Sequence, residues 1–219
     1  MRGGVVLQTA PGWAQVAGWF PGVQVAFAPV DGVTGELLPC EAEGTAGASP
    51  KRRAEFRAGR ILARALLREM GAEGPILRGD RGAPRWPAGV MGSIAHSGGW
   101  CGVAAARAGD YLSLGLDLED VSRFHPLLAL RLLGRWGPRL PEFPPVRLAA
   151  LSFSAREAAF KAISPLAPVP SLGDLELRMA PAPRGEEARF QGAWRGVQAR
   201  GKVRLMAGMV VALAAVEGG

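Results

Sequence analysis

A globular fold that mixes helices and strands is what the sequence predicts, and three observations carry it. Each half holds one main helical pattern, at 51–70 and at 154–163. Short apolar stretches of strand type accompany both, and no sequence repeat is evident. With 219 residues, 48% of them hydrophobic, the chain is long enough for one large or two small domains with a proper core. If the chain forms two domains, their junction falls near residue 108, at Ala108-Gly109-Asp110, dividing it into 1–108 and 109–219.

Residues 1–48 are rich in Gly, Pro and Ala, and within them 23–28 (VQVAFA) reads as a strand. Ser49 is suited to cap a helix and Pro50 to begin it, so 51–70 reads as a long helix ended by Gly71. Phe56, Leu62, Ala63, Leu66, Leu67 and Met70 make its apolar stripe, while Arg53, Arg57, Arg60, Arg64 and Arg68 recur every three or four residues on another face. Such a row is either a solvated surface or a seat for an anionic ligand. Only Glu55 and Glu69 offset its positive charge, which argues for the ligand.

The stretch 78–87 (RGDRGAPRWP) is a turn-rich loop with closely spaced arginines, able to wrap a phosphate or simply to connect. Gly92-Ser93-Ile94-Ala95-His96 then leads to 101–106, small and apolar enough for a buried strand. His96 therefore stands at a strand end beside glycines, where it can contact a phosphate, move a proton or serve structure alone. His125, next to Pro126, is read as structural.

Gly115-Leu116-Asp117-Leu118-Glu119 has two acids at alternate positions of an apolar segment. In a strand both acids point the same way, opposite to Leu114, Leu116 and Leu118. Like charges side by side call for a cation such as Mg2+, or else mark a solvated strand face. After a helical stretch at 126–133 and a Pro-rich loop at 137–145 comes Phe153-Ser154-Ala155-Arg156-Glu157-Ala158-Ala159-Phe160-Lys161-Ala162. Here Ser154 can cap a helix with Glu157 three residues on, and Glu157 and Lys161 can pair on a helix surface. Strand patterns at 174–179, 190–194 and 202–216 follow.

The charge balance is 26 Lys+Arg against 19 Asp+Glu, net +7, and the only lysines are Lys51, Lys161 and Lys202. Guanidinium forks suit phosphates and carboxylates, so an anionic partner is expected. Cys40 and Cys101 are too few and too far apart for a disulfide framework or a zinc motif. The first seven residues hold too short an apolar run for a signal peptide, and 205–216 is too short to cross a bilayer. A soluble, cytoplasmic protein is the expectation.

Taken in order, these stretches resemble the Sfp/EntD-type 4′-phosphopantetheinyl transferases. The matching residues are Lys51-Arg52-Arg53-x-Glu55-Phe56 with Arg60 and Arg64, the 78–89 loop, Gly92-Ser93-x-x-His96, Gly115-x-Asp117-x-Glu119 and Phe153-Ser154-x-x-Glu157-x-x-x-Lys161-Ala162. They run from about residue 51 to 173, and five motifs in order are far more specific than any one. Arg78, Arg81 and Arg156 stand where relatives frequently have lysine, a swap that keeps charge but rules out a neutral amine.

The resemblance implies an α+β fold of two similar subdomains related by a pseudo-twofold axis, with the cofactor between them. It implies transfer of phosphopantetheine from coenzyme A to a serine of an apo acyl or peptidyl carrier protein, with release of 3′,5′-ADP. By resemblance Arg52, Arg60, Arg78, Gly79, Asp80 and Arg81 hold the 3′-phospho-ADP moiety, and Ala95 and His96 lie along the cofactor. Asp117, Glu119 and Glu157 gather Mg2+, Lys161 reaches a phosphate oxygen, and Glu157, Lys161 and His96 stand nearest the chemistry. Neither nucleic acid nor membrane is an implied partner, and a monomer is expected. A Mg2+-dependent nuclease is the rival enzyme, but Glu157 and Lys161 stand at helical rather than strand spacing. A module whose basic helix only docks an acidic partner is the non-enzymatic rival.

Overall fold

Strands Gln24–Pro29 (β1), Val90–Ser97 (β4) and Trp100–Arg107 (β5) form an antiparallel sheet in the order β1-β5-β4. The computed structural model describes residues 13–79, 82–138, 140–182 and 186–218. It divides into two units, Met1–Asp110 and Tyr111–Gly219. In the first, a short helix Pro39–Ala42 (α1) precedes the long helix Pro50–Glu69 (α2), and Leu77–Arg78 (β2) pairs with Pro84–Arg85 (β3). The loop expected at 78–87 thus contains a small two-stranded ladder.

Helix α2 has the caps expected of it. The Ser49 hydroxyl accepts from the Arg52 N–H at 3.3 Å, and Pro50 occupies the first turn. At the other end Gly71 takes φ +69°, a conformation that suits glycine, while Ala72 N–H donates to Leu67 C=O at 2.8 Å. The apolar stripe packs Leu62, Leu66 and Leu67 against Ala26, Ala28, Cys101, Val103 and Ala105 of the sheet. Each of those leucines is at most 2% exposed and stabilises the unit by roughly 2 kcal/mol.

The arginine face of α2 is neither fully solvated nor wholly given to a ligand. Arg53 donates to the Ala48 carbonyl (2.7 Å), Arg57 to Gly35 (2.9 Å) and Arg64 to Glu36 (2.7 Å). Arg60 is 5% exposed and donates from Nε to Ile76 C=O at 2.8 Å. These side chains strap irregular segments to the helix by satisfying carbonyls that no strand or helix takes up.

In the second unit Ser113–Asp120 (β6), Glu176–Pro181 (β7), Glu187–Trp194 (β8), Val197–Met206 (β9) and Met209–Val216 (β10) form an antiparallel sheet ordered β6-β10-β9-β8-β7. Helix Pro126–Trp136 (α3) precedes Pro145–Ile163 (α4), which lies on one face of that sheet. His125 caps α3, its Nδ1 accepting from Leu128 N–H at 3.3 Å, which is a structural role. Helix α4 begins at Pro145 rather than at Ser154, so the expected cap at 154 is wrong. Pro145 supplies the start, and Ser154 is fully buried in mid-helix.

Small residues let α4 come close. Ala155, Ala158, Ala159 and Ala162 face Val210, Ala212 and Ala214 of β10, which pair with Glu119, Asp117 and Gly115 of β6. A Cβ on Gly115 would stand 2.0 Å from the Ala158 oxygen and 2.7 Å from the Ala162 nitrogen. The acids of β6 therefore share the helix-packed face, and Leu114, Leu116 and Leu118 are buried on the other. A solvated strand face is ruled out. Among the described residues no helix is long and apolar enough to cross a membrane.

Substituting Gly115 by Ala pushes α4 off the sheet and should cost roughly 1–3 kcal/mol or more by chemical denaturation. Gly134→Ala, in α3 with nothing within 4 Å, should stabilise by about 0.5–1 kcal/mol in the same measurement.

Candidate functional site

A cleft in the first unit gathers several of the predicted phosphate-holding groups. Arg52, Arg60, Arg78 and His96 line it together with Gly44 and Thr45. The His96 Nε2 takes a hydrogen bond from Arg52 Nη1, so that nitrogen is the acceptor of the ring. Arg78 Nη1 donates to Gly44 C=O at 3.1 Å. Glu55 also lines the cleft, 3.5 Å from Arg52 and 4.0 Å from His96. Among the described residues, three guanidinium groups against one carboxylate leave the cleft positive, which suits an anion.

Arg60 sits at the base of the cleft, stacked 4.0 Å over the Phe56 ring. Burial lowers its pKa to about 10, while Glu41 pulls it the other way, so it remains charged at neutral pH. Gly79 lies in the turn beyond β2, its N–H donating to Ala83 C=O at 2.8 Å. Asp80 and Arg81, expected in the same loop, lie outside the described residues. Ala95 is 2% exposed and, one residue before His96 on β4, faces the opposite side of the sheet. Its side chain is therefore not among those lining this cleft.

The second unit brings Asp117, Ser154, Glu157 and Lys161 together across β6 and α4. Asp117, 5% exposed, accepts from Ser154 Oγ at 2.9 Å on one oxygen and from Lys161 Nζ at 2.7 Å on the other. Lys161 also donates to the Leu116 carbonyl at 3.1 Å. The surface pairing of Glu157 with Lys161 considered from helical spacing gives way to this buried one. Burial raises the Glu157 pKa first, the charge of Asp117 raises it further, and Lys161 opposes both. Glu119, 8% exposed, pairs with Arg123 at 3.0 Å.

Among the described residues no three carboxylate, histidine or cysteine groups form a ready-made metal cage. The donor set nonetheless fits a hard cation in kind. It offers carboxylate oxygens only, and Glu157 gains negative charge at a cost that Asp117 increases, which a cation would relieve.

Arg156 stands about 200° around α4 from Ser154, away from Asp117. It is 4% exposed, donates to the carbonyls of Leu175 and Leu172, the latter at 3.0 Å, and lies 5.2 Å from the Trp136 ring. Burial lowers its pKa. Its task is to tie the segment before β7 to α4, so arginine in place of lysine there does not bear on the acids. Ser154 and Glu41 are the residues whose roles sequence reasoning missed. Ser154 was hidden by its suitability as a cap, and Glu41 by the absence of any motif around it.

Because the folded pKa of Glu157 is raised, the fold favours its protonated form. The resulting penalty is absent below the ordinary carboxylate range and complete above the raised value. In the presence of chelator, Glu157→Gln should therefore melt higher than the native chain at pH 8, and the advantage should vanish toward pH 4.

Comparison with known proteins bears on both units. The family described as 4′-phosphopantetheinyl transferase N-terminal domain matches residues 41–106. Among curated proteins, the 4′-phosphopantetheinyl transferase Svp of Streptomyces mobaraensis is 43% identical over 136 residues, 59% of this chain and 55% of that protein. The 4′-phosphopantetheinyl transferase PptT of Mycobacterium tuberculosis is 38% identical over 134 residues, 59% of each chain. Enterobactin synthase component D of Salmonella typhimurium is 33% identical over 135 residues, 59% of this chain and 56% of that protein. The chain thus spans little more than half the length of the relatives it matches. The resemblance holds at the level of the family: the chain is similar to the 4′-phosphopantetheinyl transferases, and residues 41–106 match the model of that family's N-terminal domain.

Proposed function

We propose that this chain is a 4′-phosphopantetheinyl transferase that moves phosphopantetheine from coenzyme A to a serine of an apo acyl or peptidyl carrier protein. The observation that carries the reading is the pairing, in one chain, of a guanidinium-lined cleft with buried carboxylates beside a lysine. Coenzyme A presents a 3′-phosphate and a pyrophosphate. Arg52 and Arg78 would meet phosphate oxygens in the cleft, with Arg60 adding charge from its base, Gly79 forming part of the loop and His96 oriented by Arg52.

Asp117, Glu119 and Glu157 would hold Mg2+, whose chemistry is to neutralise charge that builds on the pyrophosphate. Lys161 commits two of its three donors to Asp117 and Leu116, and its third can meet a phosphate oxygen. The carrier serine oxygen forms a bond to the β-phosphorus of coenzyme A. Its proton passes to the Glu157 carboxylate, directly or through water, and the bond to 3′,5′-ADP breaks. Glu157 is suited to this role by its place beside Asp117 and Lys161 on the same face. Positioning and electrostatics carry most of the acceleration, as in phosphoryl transfer generally.

Titration calorimetry with coenzyme A tests the reading. Binding should be seen with Mg2+ and should weaken in chelator, and Asp117→Ala should abolish the metal dependence. Glu157→Gln should keep coenzyme A binding but slow transfer by roughly 100-fold or more. No binding with Mg2+ present would leave the docking module as the better reading, and wild-type transfer by Glu157→Gln would remove that residue as the base.

A further inference from the structure

The carboxylate of Glu41 belongs to none of the motifs, yet it is 1% exposed at the end of a four-residue helix. Its Oε1 accepts from the Ile76 N–H at 3.0 Å. Its Oε2 accepts from the Leu38 N–H at 3.1 Å and pairs with Arg64 Nη1. Arg60 grips the same segment from α2, donating from Nε to Ile76 C=O at 2.8 Å and from Nη2 to Leu77 C=O at 3.5 Å. The backbone just before Arg78 is thus held by side chains on both its donor and its acceptor groups. Arg78 itself reaches back to Gly44, three residues beyond Glu41, where the rim of the cleft begins.

A buried carboxylate is a costly way to fill space, since it must be desolvated and every lone pair needs a donor. If α1 needed only to pack, an apolar side chain would serve. What the carboxylate adds is direction, because its two oxygens fix three donors from three segments at once. We infer that Glu41 is a positioning residue that sets where Arg78 stands in the cleft, and so governs affinity for phosphate groups it never touches. The inference rests on the cleft being the phosphate seat proposed above.

Glutamine at this position has nearly the same shape but turns one oxygen into a donor facing other donors. Glu41→Gln should weaken coenzyme A binding roughly 10-fold or more, measured by titration calorimetry, with kcat at saturating coenzyme A nearly unchanged. Amide hydrogen exchange should quicken at Ile76 and Leu77 but not along β4 and β5. Leu67→Ala, which opens the core of the same unit away from the cleft, should lower the melting temperature while leaving the coenzyme A Kd as it is. Where the glutamine variant does not fold, Glu41→Asp is read in the same way. An unchanged Kd in the Glu41 variant, or an equal loss in Leu67→Ala, overturns the inference. If the wild-type chain itself binds no coenzyme A, the functional reading fails and the exchange measurement alone decides: unchanged exchange at Ile76 overturns the brace, and selective quickening upholds it for another anion.

Discussion

Helix α4 can lie against β6 only because residue 115 carries no side chain. The Ala158 oxygen occupies the place where a Cβ would stand, so the backbones of helix and strand meet. That contact fixes the depth of everything else on the face. It brings Ser154 and Lys161 within hydrogen-bonding distance of Asp117, and it places Glu157 where burial, and then the charge of Asp117, raise its pKa. The alanines along α4 complete the fit, and the acids share a face with the apolar core rather than turning from it. A strand carrying two carboxylates into such surroundings is tolerable because each finds a cation, Lys161 for Asp117 and Arg123 for Glu119.

The first unit solves a different problem. Its larger sheet has three strands and its connections are long, so carbonyls in those connections have no ladder partner. Arginines from α2 meet that need at Gly35, Glu36, Ala48 and Ile76. The same guanidinium chemistry, turned outward at Arg52 and Arg78, produces a positive cleft. Arg60 belongs to both roles, bonded to the backbone and stacked on Phe56 while lining the cleft.

How much of this the sequence revealed depended on how local each signal is. Helix α2 was legible from end to end because Ser49, Pro50 and Gly71 act within a turn of their own positions. The acids at 117 and 119 were legible as a pair because a strand alternates with period two. Their burial was not, since it depends on a helix that starts 26 residues later (145 − 119 = 26). The start of α4 was misjudged because a serine with a glutamate three residues on satisfies the rule for a cap, and only the approach of Asp117 gives Ser154 a different partner. Arg156 raised a chemical question in the sequence that its direction answers, because it faces the Leu172 and Leu175 carbonyls. Glu41 belongs to no motif: Leu38 is a local partner, but Arg64 and Ile76 lie 23 and 35 residues away.

On the proposed function, the cations of the first unit and the carboxylates of the second serve one transfer of a phosphopantetheine arm. Mass spectrometry of a panel of apo carrier proteins, incubated with this chain, coenzyme A and Mg2+, tests it most directly. The expected result is a phosphopantetheine mass gain on the serine of at least one carrier, lost when either coenzyme A or Mg2+ is withheld. Carriers that all keep their apo mass under conditions where a known transferase modifies them would contradict it.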